Sequence, residues 1–406
     1  MRSARGMGMV GMAAVALALL SGCAATTLVP IDHAGFQPEP DERALWDSAE
    51  TLDKAMAEHQ LIDDDPALQA YLDGVVARLT PPLGGDLPVR VRVLRDPYLN
   101  AFAMPNGSVY LHAGLLARID NEAQLATVLG HELVHFTERH SLKTQRTAEN
   151  RRAVMQVVFG VLAAAAAGAS GDLNAARLMM DLGDAISPTV VDAQVNGYSR
   201  DLEREADARG FALVAAAGYD VAESPKVFAH LQQDHAEADI EEPYFFGSHP
   251  RLAERIESYQ ALLAARPAAP GPAPRVGRDE LAAALSPLLL DNARADIRMG
   301  RTSRALRAID RHLAHTPANG RAHFLRGEAL RRAGDADAAR LAYDRAVDLD
   351  PGDAAAAREL GLLHRAAGRH QAARAAFARY LELAPAATDR PIIEVYVREA
   401  EQGGAP

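Results

Sequence analysis

The feature that most constrains the fold is a 34-residue period in the C-terminal third of the chain. Tyr343 and Phe377 occupy an aromatic position in two copies, where the first copy has Ile309. This period is typical of the tetratricopeptide repeat, a helical hairpin that buries its apolar face by stacking on its neighbours. A generic alanine-rich bundle, the alternative, would not need coinciding registers. We therefore predict an all-α repeat solenoid over residues 279–402, with a capping helix from Pro391. The recurring positions are Ala305, Ala339 and Ala373, then Pro317, Pro351 and Pro385, then Gly327 and Gly361.

The N-terminus predicts export. MRSARGMGMVGMAAVALALLSGC has a basic start, an apolar run and small residues before a cysteine, which is the pattern of a secretory signal. Its end, LSGC, resembles the bacterial lipobox, and Cys23 is the only cysteine in the chain. We expect residues 1–22 to be a lipoprotein signal peptide, Cys23 to carry the lipid, and residues 23–40 to be a tether. Because Ala24 and not Asp follows, the resemblance implies the outer membrane. The alternative is an ordinary signal cleaved nearby.

Composition and charge limit the function classes. The formal net charge is −11 at pH 7, whereas a nucleic-acid-binding domain needs a basic patch or stripe. A single cysteine leaves no intramolecular disulfide. The length allows two or three domains, and ARPAAPGPAPRVG predicts a Pro/Ala linker at residues 265–278.

Residues 41–264 are predicted to form an α+β domain, mainly helical with a small β-sheet. Residues 87–94 end in the alternation of a strand, and Asn106-Gly107 is a strong hairpin signal between two short strands. Residues 121–140 have the apolar periodicity of a helix. The apolar run 153–169 is short for a membrane span, so a buried or membrane-touching helix is favoured over a span.

The helix predicted over residues 121–140 carries the pattern of a metal centre. His131 and His135 are four residues apart and therefore lie on one face, where two imidazoles can bind one ion. Glu132 is placed to take a proton from the water that zinc activates. The pattern is short, so a chance match in an amphipathic helix is the alternative.

A second predicted helix offers the third ligand that a catalytic zinc site requires. Ser199 is a suitable N-cap for a helix that runs to Gly218, and Glu203 and Asp207 lie on one of its faces. Glu203 is placed to bind the metal, and Asp207 to hold a ligating imidazole N–H. Glu205 points elsewhere and is expected to be solvated. An ordinary surface acid is the alternative for Glu203.

These motifs resemble those of the gluzincin metallopeptidases of the HtpX and CAAX-prenyl endopeptidase family. HELVHFTERH followed by EREAD matches that family's HExxH and its downstream ExxAD. With the lipobox and the repeats, the chain most resembles the periplasmic BepA-like branch, although it has fewer repeats than expected there. The resemblance covers roughly residues 41–265. It implies one Zn²⁺ per chain, held by His131, His135 and Glu203.

The resemblance extends to a later His-Pro and Arg, which SHPRLAERI supplies as His249, Pro250 and Arg255. It implies that His249 is a catalytic donor to the tetrahedral intermediate or a switchable extra zinc ligand. A structural role in the proline turn is the alternative. Arg255 is expected either to hold substrate or to pair with a carboxylate near the site, and either residue is a candidate to stabilise the oxyanion.

NAFAMPNG resembles the substrate-side strand of the same family. If this strand lies at a sheet edge, a peptide can add to it as a further strand, and an interior strand is the alternative. His112 and His140 are not needed as ligands. His140 lies five residues past His135 and is expected off the ligand face, packed or capping. The proposed substrate strand is Asn100, Ala101, Phe102 and Ala103.

Together these features predict a zinc-dependent endopeptidase, lipid-anchored on the periplasmic side of the outer membrane. Zinc acidifies a water and polarises the scissile carbonyl, and Glu132 passes the proton to the leaving amine. The expected substrates are misfolded or unassembled outer-membrane proteins, with the repeats docking clients or the outer-membrane assembly machinery. The alternative function is an adaptor or chaperone that acts through the repeats with a locked or idle metal site.

Overall fold

The structure is a computed structural model that describes residues 36–84, 87–147, 198–237, 252–266 and 272–403, with residues 28 and 31. Cys23, His249 and the apolar run 153–169 lie outside the described residues, so the predictions for them stay predictions. The described part is mainly helical around one small sheet, which confirms the predicted fold class. None of its helices has the length and apolarity that crossing a bilayer would take.

The N-terminal half combines helices with a three-stranded sheet of order β1-β3-β2. Strand β1 runs parallel to β3, and β2 runs antiparallel to β3. Residues 140–147 are also helical. In chain order the elements are α1 (Pro40–Glu58), α2 (Pro66–Leu79), β1 (Arg90–Leu94), β2 (Ala101–Ala103), β3 (Ser108–His112), α3 (Ala113–Leu116), α4 (Glu122–Thr137), α5 (Arg200–Ala216), α6 (Ser224–Glu237) and α7 (Leu252–Ala265).

The predicted hairpin at Asn106-Gly107 is confirmed between β2 and β3. Gly107 has a φ of +86°, and a Cβ there would lie 2.5 Å from the carbonyl oxygen of Pro88. Only glycine fits a left-handed turn packed this closely. The strand predicted over 87–94 is shorter than expected, because its ladder begins where the Arg90 N–H bonds the Gly107 carbonyl oxygen. Pro88 has no N–H to extend that ladder.

The C-terminal half is a stack of helical hairpins, as the 34-residue period predicts. A Cβ on Gly327 would lie 2.5 Å from the Tyr343 ring, and one on Gly361 would lie 2.4 Å from the Phe377 ring. The glycine and aromatic registers are therefore the two sides of one contact within each hairpin. Tyr396 packs its ring 5.7 Å from that of Phe377, so the last helix covers the last hairpin. The helices are α8 (Arg278–Arg298), α9 (Thr302–His315), α10 (Gly320–Arg332), α11 (Ala336–Leu349), α12 (Ala354–Ala366), α13 (His370–Leu383) and α14 (Arg390–Gly403).

One apolar core runs from the N-terminal half into the first repeats. Leu72 of α2, Leu129 of α4, Leu285 of α8 and Ile309 of α9 are fully buried members of the same cluster. Helix α8 packs against α2, α3 and α4. The first repeat helices therefore complete the fold of the N-terminal half and are not a separate body on a flexible arm.

The described end of the predicted linker, residues 272–277, is docked on the N-terminal half. Arg275 donates its N–H to the Gly218 carbonyl oxygen at 2.9 Å, and the Gly277 carbonyl oxygen accepts from the Glu122 N–H at 3.1 Å. A Cβ on Gly277, which has a φ of +66°, would lie 2.7 Å from the Glu122 Cβ. The chain is thus pinned to the start of α4 just before α8 begins.

Glu122, the first residue of α4, is the centre of this junction. Its fully buried carboxylate accepts hydrogen bonds from the hydroxyls of Tyr71 and Tyr219, each at 2.7 Å. Arg78 donates to it at 2.8 Å, and Arg275 donates through Nε at 2.6 Å. Burial raises the pKa of Glu122, but the bonds from Arg275 and the tyrosines outweigh it and lower the pKa to about 2.

Candidate metal centre

The centre lies where α4 crosses α5, and two glycines let these helices approach closely. A Cβ on Gly130 would lie 3.0 Å from Val214 Cγ2 and 3.3 Å from the Gly210 carbonyl oxygen. A Cβ on Gly210 would lie 3.0 Å from the backbone nitrogen of His131. Because neither glycine has a side chain, the α5 backbone can lie against the α4 backbone. This close crossing places the carboxylates of α5 beside the histidines of α4.

Both helices begin at side-chain caps. Asn121 accepts from the Gln124 N–H at 3.0 Å, and Ser199 accepts from the Leu202 N–H at 3.4 Å, which confirms the predicted cap. Each cap satisfies a backbone donor that would otherwise lack a partner in the first turn. Helix α5 ends at Ala216, two residues before the predicted end, since the chain turns at Gly218 with a φ of +82°.

His131, His135 and Glu203 converge on one point. The two Nε2 atoms lie 2.9 Å apart, and each lies 3.5 Å from an oxygen of the Glu203 carboxylate. All three side chains are buried. They form the only group in the described part of the chain in which three or more His, Cys, Asp or Glu side chains could hold a metal ion.

This donor set fits zinc. Tetrahedral zinc holds nitrogen and oxygen ligands at about 2.0–2.2 Å, which puts neighbouring ligand atoms about 3.3–3.6 Å apart. Both separations from Glu203 fall in that range, and the pair of imidazole nitrogens is somewhat closer. Two imidazoles and one carboxylate are the protein ligands of many catalytic zinc sites, which keep the fourth position open.

Asp207 and Arg255 lie behind the first imidazole. Asp207 Oδ1 is 3.0 Å from His131 Nδ1, and the guanidinium of Arg255 contacts both, at 2.5 Å from Asp207 Oδ1 and 2.8 Å from His131 Nδ1. Arg255 is buried and packs its guanidinium 4.1 Å from the centre of the Phe228 ring. Of the two predicted settings for Arg255, the structure places it against a carboxylate.

The electrostatics of this group favour positive charge at the ligand nitrogens. Burial and the charge of Arg255 lower the pKa of His131. The bonds with Asp207 and Glu203 outweigh both effects and raise the pKa to about 9. Burial raises the pKa of Asp207, but the charge of Arg255 and the bond with His131 lower it below its usual value. Ionised carboxylates around an imidazole pair attract a proton or a metal cation alike.

His140 is packed behind the second imidazole and is not in the ligand group, as predicted, but its contact with His135 was not expected. Its Nδ1 is 2.9 Å from His135 Nδ1. Helix α4 ends at Thr137, and Arg139 has a φ of +56°, so helical spacing no longer describes His140. Burial and the charge of Lys143 lower the pKa of His140 to about 4. Its imidazole is therefore neutral near pH 7.

Glu205 points away from the ligand group, as predicted, but it is only partly solvated. Its side chain is 30% exposed, and its Oε2 lies 3.4 Å from His140 Nε2. Its Oε1 pairs with Arg209 at 3.1 Å. The residue lies on the far side of His140 from the proposed metal ligands. His112, in contrast, faces Asp96 at 3.5 Å and is not in the ligand group.

Glu132 and Tyr198 complete the surroundings. Glu132 is 2% exposed and follows the first ligand on α4. The Tyr198 ring stacks on His135 with centroids 4.1 Å apart, and its hydroxyl lies 2.8 Å from Ser141 Oγ. Burial raises the pKa of Tyr198, and the charges of Glu132 and Glu203 raise it further. Tyr198 therefore borders the ligand group through its stacking on His135.

The strand Asn100–Ala103 lies beside the motif helix. Its last three residues form β2, which pairs only with β3 in the described sheet and so leaves one edge open. Helix α4 packs against β2. A cavity of about 390 Å³ lies between α5 and α7, and Glu203, Asp207 and Arg255 line part of it.

Comparison with known proteins matches the two halves separately. The profile of peptidase family M48 matches residues 63–263. A tetratricopeptide-repeat profile matches residues 290–354 and 333–388. The first match includes every predicted ligand, and the second covers most of the hairpin stack.

Relatives come from bacteria and mitochondria. A Vibrio cholerae protein named putative beta-barrel assembly-enhancing protease is 30% identical over 205 residues, which are 50% of this chain and 40% of the relative. The beta-barrel assembly-enhancing protease of Escherichia coli K12 is 28% identical over 194 residues, 48% of this chain and 38% of the relative. The mitochondrial metalloendopeptidase OMA1 of Schizosaccharomyces pombe is 32% identical over 244 residues, 57% of this chain and 67% of the relative. This chain thus matches about two fifths of the length of the bacterial relatives.

Proposed function

Since this chain belongs to peptidase family M48, we propose that it is a zinc-dependent endopeptidase with one metal held by His131, His135 and Glu203. The observation that supports this most directly is the convergence of these three side chains from two helices on one point. Two imidazoles and a carboxylate bind zinc and leave a coordination position for the reaction.

In the proposed mechanism, zinc held by these residues would supply Lewis-acid chemistry, which lowers the pKa of a water molecule and polarises the scissile carbonyl. Glu132 takes the proton from the attacking water and delivers it to the leaving amine. Asp207 holds the His131 imidazole with Nε2 toward the metal, and Arg255 fixes Asp207. We assign Arg255 this orienting role and not substrate contact, because its guanidinium is buried against these two side chains. His249 stays the proposed donor to the tetrahedral intermediate.

The proposed substrate is an extended polypeptide. The open edge of β2 can form backbone hydrogen bonds with a further strand. The residues proposed to bind the substrate in this way are Asn100, which precedes β2, and Ala101, Phe102 and Ala103, which form it. Backbone pairing needs little side-chain specificity, which suits an enzyme that accepts misfolded or unassembled chains. Helix α4 lies against the same strand, so a peptide there would pass beside the ligand histidines.

We further propose that the protein acts on outer-membrane proteins from the periplasmic side of the outer membrane, where Cys23 anchors it through lipid. The lipobox-like LSGC sequence supports the anchor, and the beta-barrel assembly-enhancing relatives support the client class. The hairpin stack supplies a surface for docking clients or the outer-membrane assembly machinery.

The test compares four purified soluble chains that lack residues 1–23, the wild type and three variants. The wild type should hold one zinc per chain and cleave unfolded casein in a chelator-sensitive reaction. Glu132→Gln should keep zinc and lose about 10²–10⁴-fold in cleavage rate. Glu203→Gln should bind zinc more weakly. Asp201→Asn, on the same helix with its side chain 93% exposed, should match the wild type. Wild-type cleavage by Glu132→Gln would contradict the proposal, and client binding without chelator-sensitive cleavage would favour the adaptor.

A further inference from the structure

The two ligand imidazoles are held from behind by different groups. His131 Nδ1 faces a carboxylate, Asp207, at 3.0 Å. His135 Nδ1 faces another imidazole, His140, whose Nδ1 lies 2.9 Å away. We propose that His140, backed by Glu205, positions His135 as a metal ligand by fixing which nitrogen of His135 carries the proton. This inference rests on the proposed zinc site.

The proton positions follow from which atoms face each other. If His135 Nε2 binds the metal, its proton must lie on Nδ1. His140 Nδ1 must then accept that N–H, because it is the atom at hydrogen-bond distance. A neutral imidazole that accepts at Nδ1 carries its own proton on Nε2. Glu205 Oε2 lies 3.4 Å from His140 Nε2, and its negative charge favours the N–H at that position.

Each member of this series is itself held in place. His140 is fully buried, so its ring cannot turn to water. The left-handed conformation of Arg139, with a φ of +56°, returns the chain toward α5 just before His140. Glu205 is fixed through its other oxygen by Arg209 at 3.1 Å. The arrangement therefore runs from the partly exposed carboxylate of Glu205 through His140 to the buried imidazole of His135.

Two substitutions of nearly the same polarity distinguish the contact at Nδ1 of His140 from the contact at its Nε2. In His140→Asn, the side-chain oxygen can lie where Nδ1 lies and still accept from His135. In His140→Gln, the polar group lies farther along the side chain, toward the position of Nε2, and the contact with His135 is lost. We expect His140→Gln to weaken zinc binding ~10–100-fold, the usual effect of losing such an outer partner. His140→Asn should stay within about threefold of the wild type.

Zinc affinity is measured by competition with a fluorescent chelator, on the full soluble chain. Absorption of the cobalt-loaded protein reports the ligand geometry separately, and thermal unfolding of the metal-free protein reports folding. Glu205→Ala should reduce zinc affinity less than His140→Gln does, and Asp201→Ala serves as the exposed control on α5. A cobalt spectrum changed in His140→Gln but kept in His140→Asn is expected.

The outcomes distinguish this inference from the proposed function. If the wild type takes up no zinc, the zinc site itself is wrong. If the wild type binds zinc tightly and both His140 variants bind equally well, the positioning role is overturned. Equal losses in His140→Asn and His140→Gln overturn it too, because the Nδ1 contact would then not matter. A variant that loses only metal-free stability, with unchanged zinc affinity, would show a purely structural role.

Discussion

Glu122→Gln should destabilise the whole protein, although Glu122 lies outside the metal centre. The substitution keeps the side-chain shape but removes the charge that faces Arg78 and Arg275. It also places an amide NH₂ where the buried oxygens now accept from the hydroxyls of Tyr71 and Tyr219. A buried donor that faces other donors loses its hydrogen bonds without gaining water.

The magnitude follows from the pKa of Glu122, which falls from the usual 4.5 to about 2 in the folded protein. This difference corresponds to about 3 kcal/mol of stability above pH 4.5. The side chains of Arg78 and Arg275 are each 39% exposed, so water screens part of the interaction. We expect a loss of about 2 kcal/mol at pH 7, which lowers Tm by roughly 4–8 °C.

The pH dependence has a defined sign. A lowered folded-state pKa adds stability that is complete above the unfolded value of 4.5 and is lost as pH falls toward about 2. The Tm difference between wild type and Glu122→Gln should therefore stay constant from pH 7 to about 5 and narrow below that. Thermal unfolding followed by circular dichroism measures it. Glu50→Gln is the control, because Glu50 forms an exposed ion pair with Lys54 at 3.2 Å. Removing this pair should change Tm little. Equal Tm values for Glu122→Gln and wild type at pH 7 would refute the reasoning.

Three further predictions test the helix crossing, the anchor and the repeats. Gly210→Val should force α5 away from His131 and weaken zinc binding at least ~10-fold in the chelator competition, whereas Ala208→Val, exposed on the same helix, should not. Cys23→Ser should move the protein from the membrane fraction to the soluble fraction, and continued membrane association would contradict the lipid anchor. A chain that ends at Gly277 should aggregate, because it exposes the apolar surface that α8 covers; a monomeric product in size-exclusion chromatography would contradict the shared core.

The sequence predicts which side chains share a helix face because these signals are local. His131 and His135 are one helical turn apart, and so are Glu203 and Asp207, so spacing alone places each pair on one face. What spacing cannot give is the crossing that brings the two pairs together. Gly210 makes that crossing possible, and its role depends on a helix about 80 residues away in the chain.

Helical periodicity does not show what His140 contacts, because the backbone changes direction just before it. Arg139 leaves the helical region with a φ of +56°, and His140 packs against His135. The helix face of Glu205 likewise does not show that its carboxylate faces His140 as well as solvent. A single left-handed residue is hard to predict outside glycine, because non-glycine residues rarely adopt it.

Composition also misleads at the junction between the halves. ARPAAPGPAPRVG has the composition of a flexible linker, yet Arg275 within it reaches the buried Glu122. A second ionic contact ties the first hairpin to the N-terminal half, where Arg307 of α9 donates to the fully buried Asp234 of α6 at 2.8 Å. In each contact the carboxylate is fully buried and the arginine is partly exposed, so water screens part of the attraction, and each contact still resists separation of the halves. The first hairpin is therefore fixed relative to α4. Under the proposed function, a client held on the repeats would therefore approach the proposed metal centre along a direction set by the fold, and the reach of a flexible linker would not limit it.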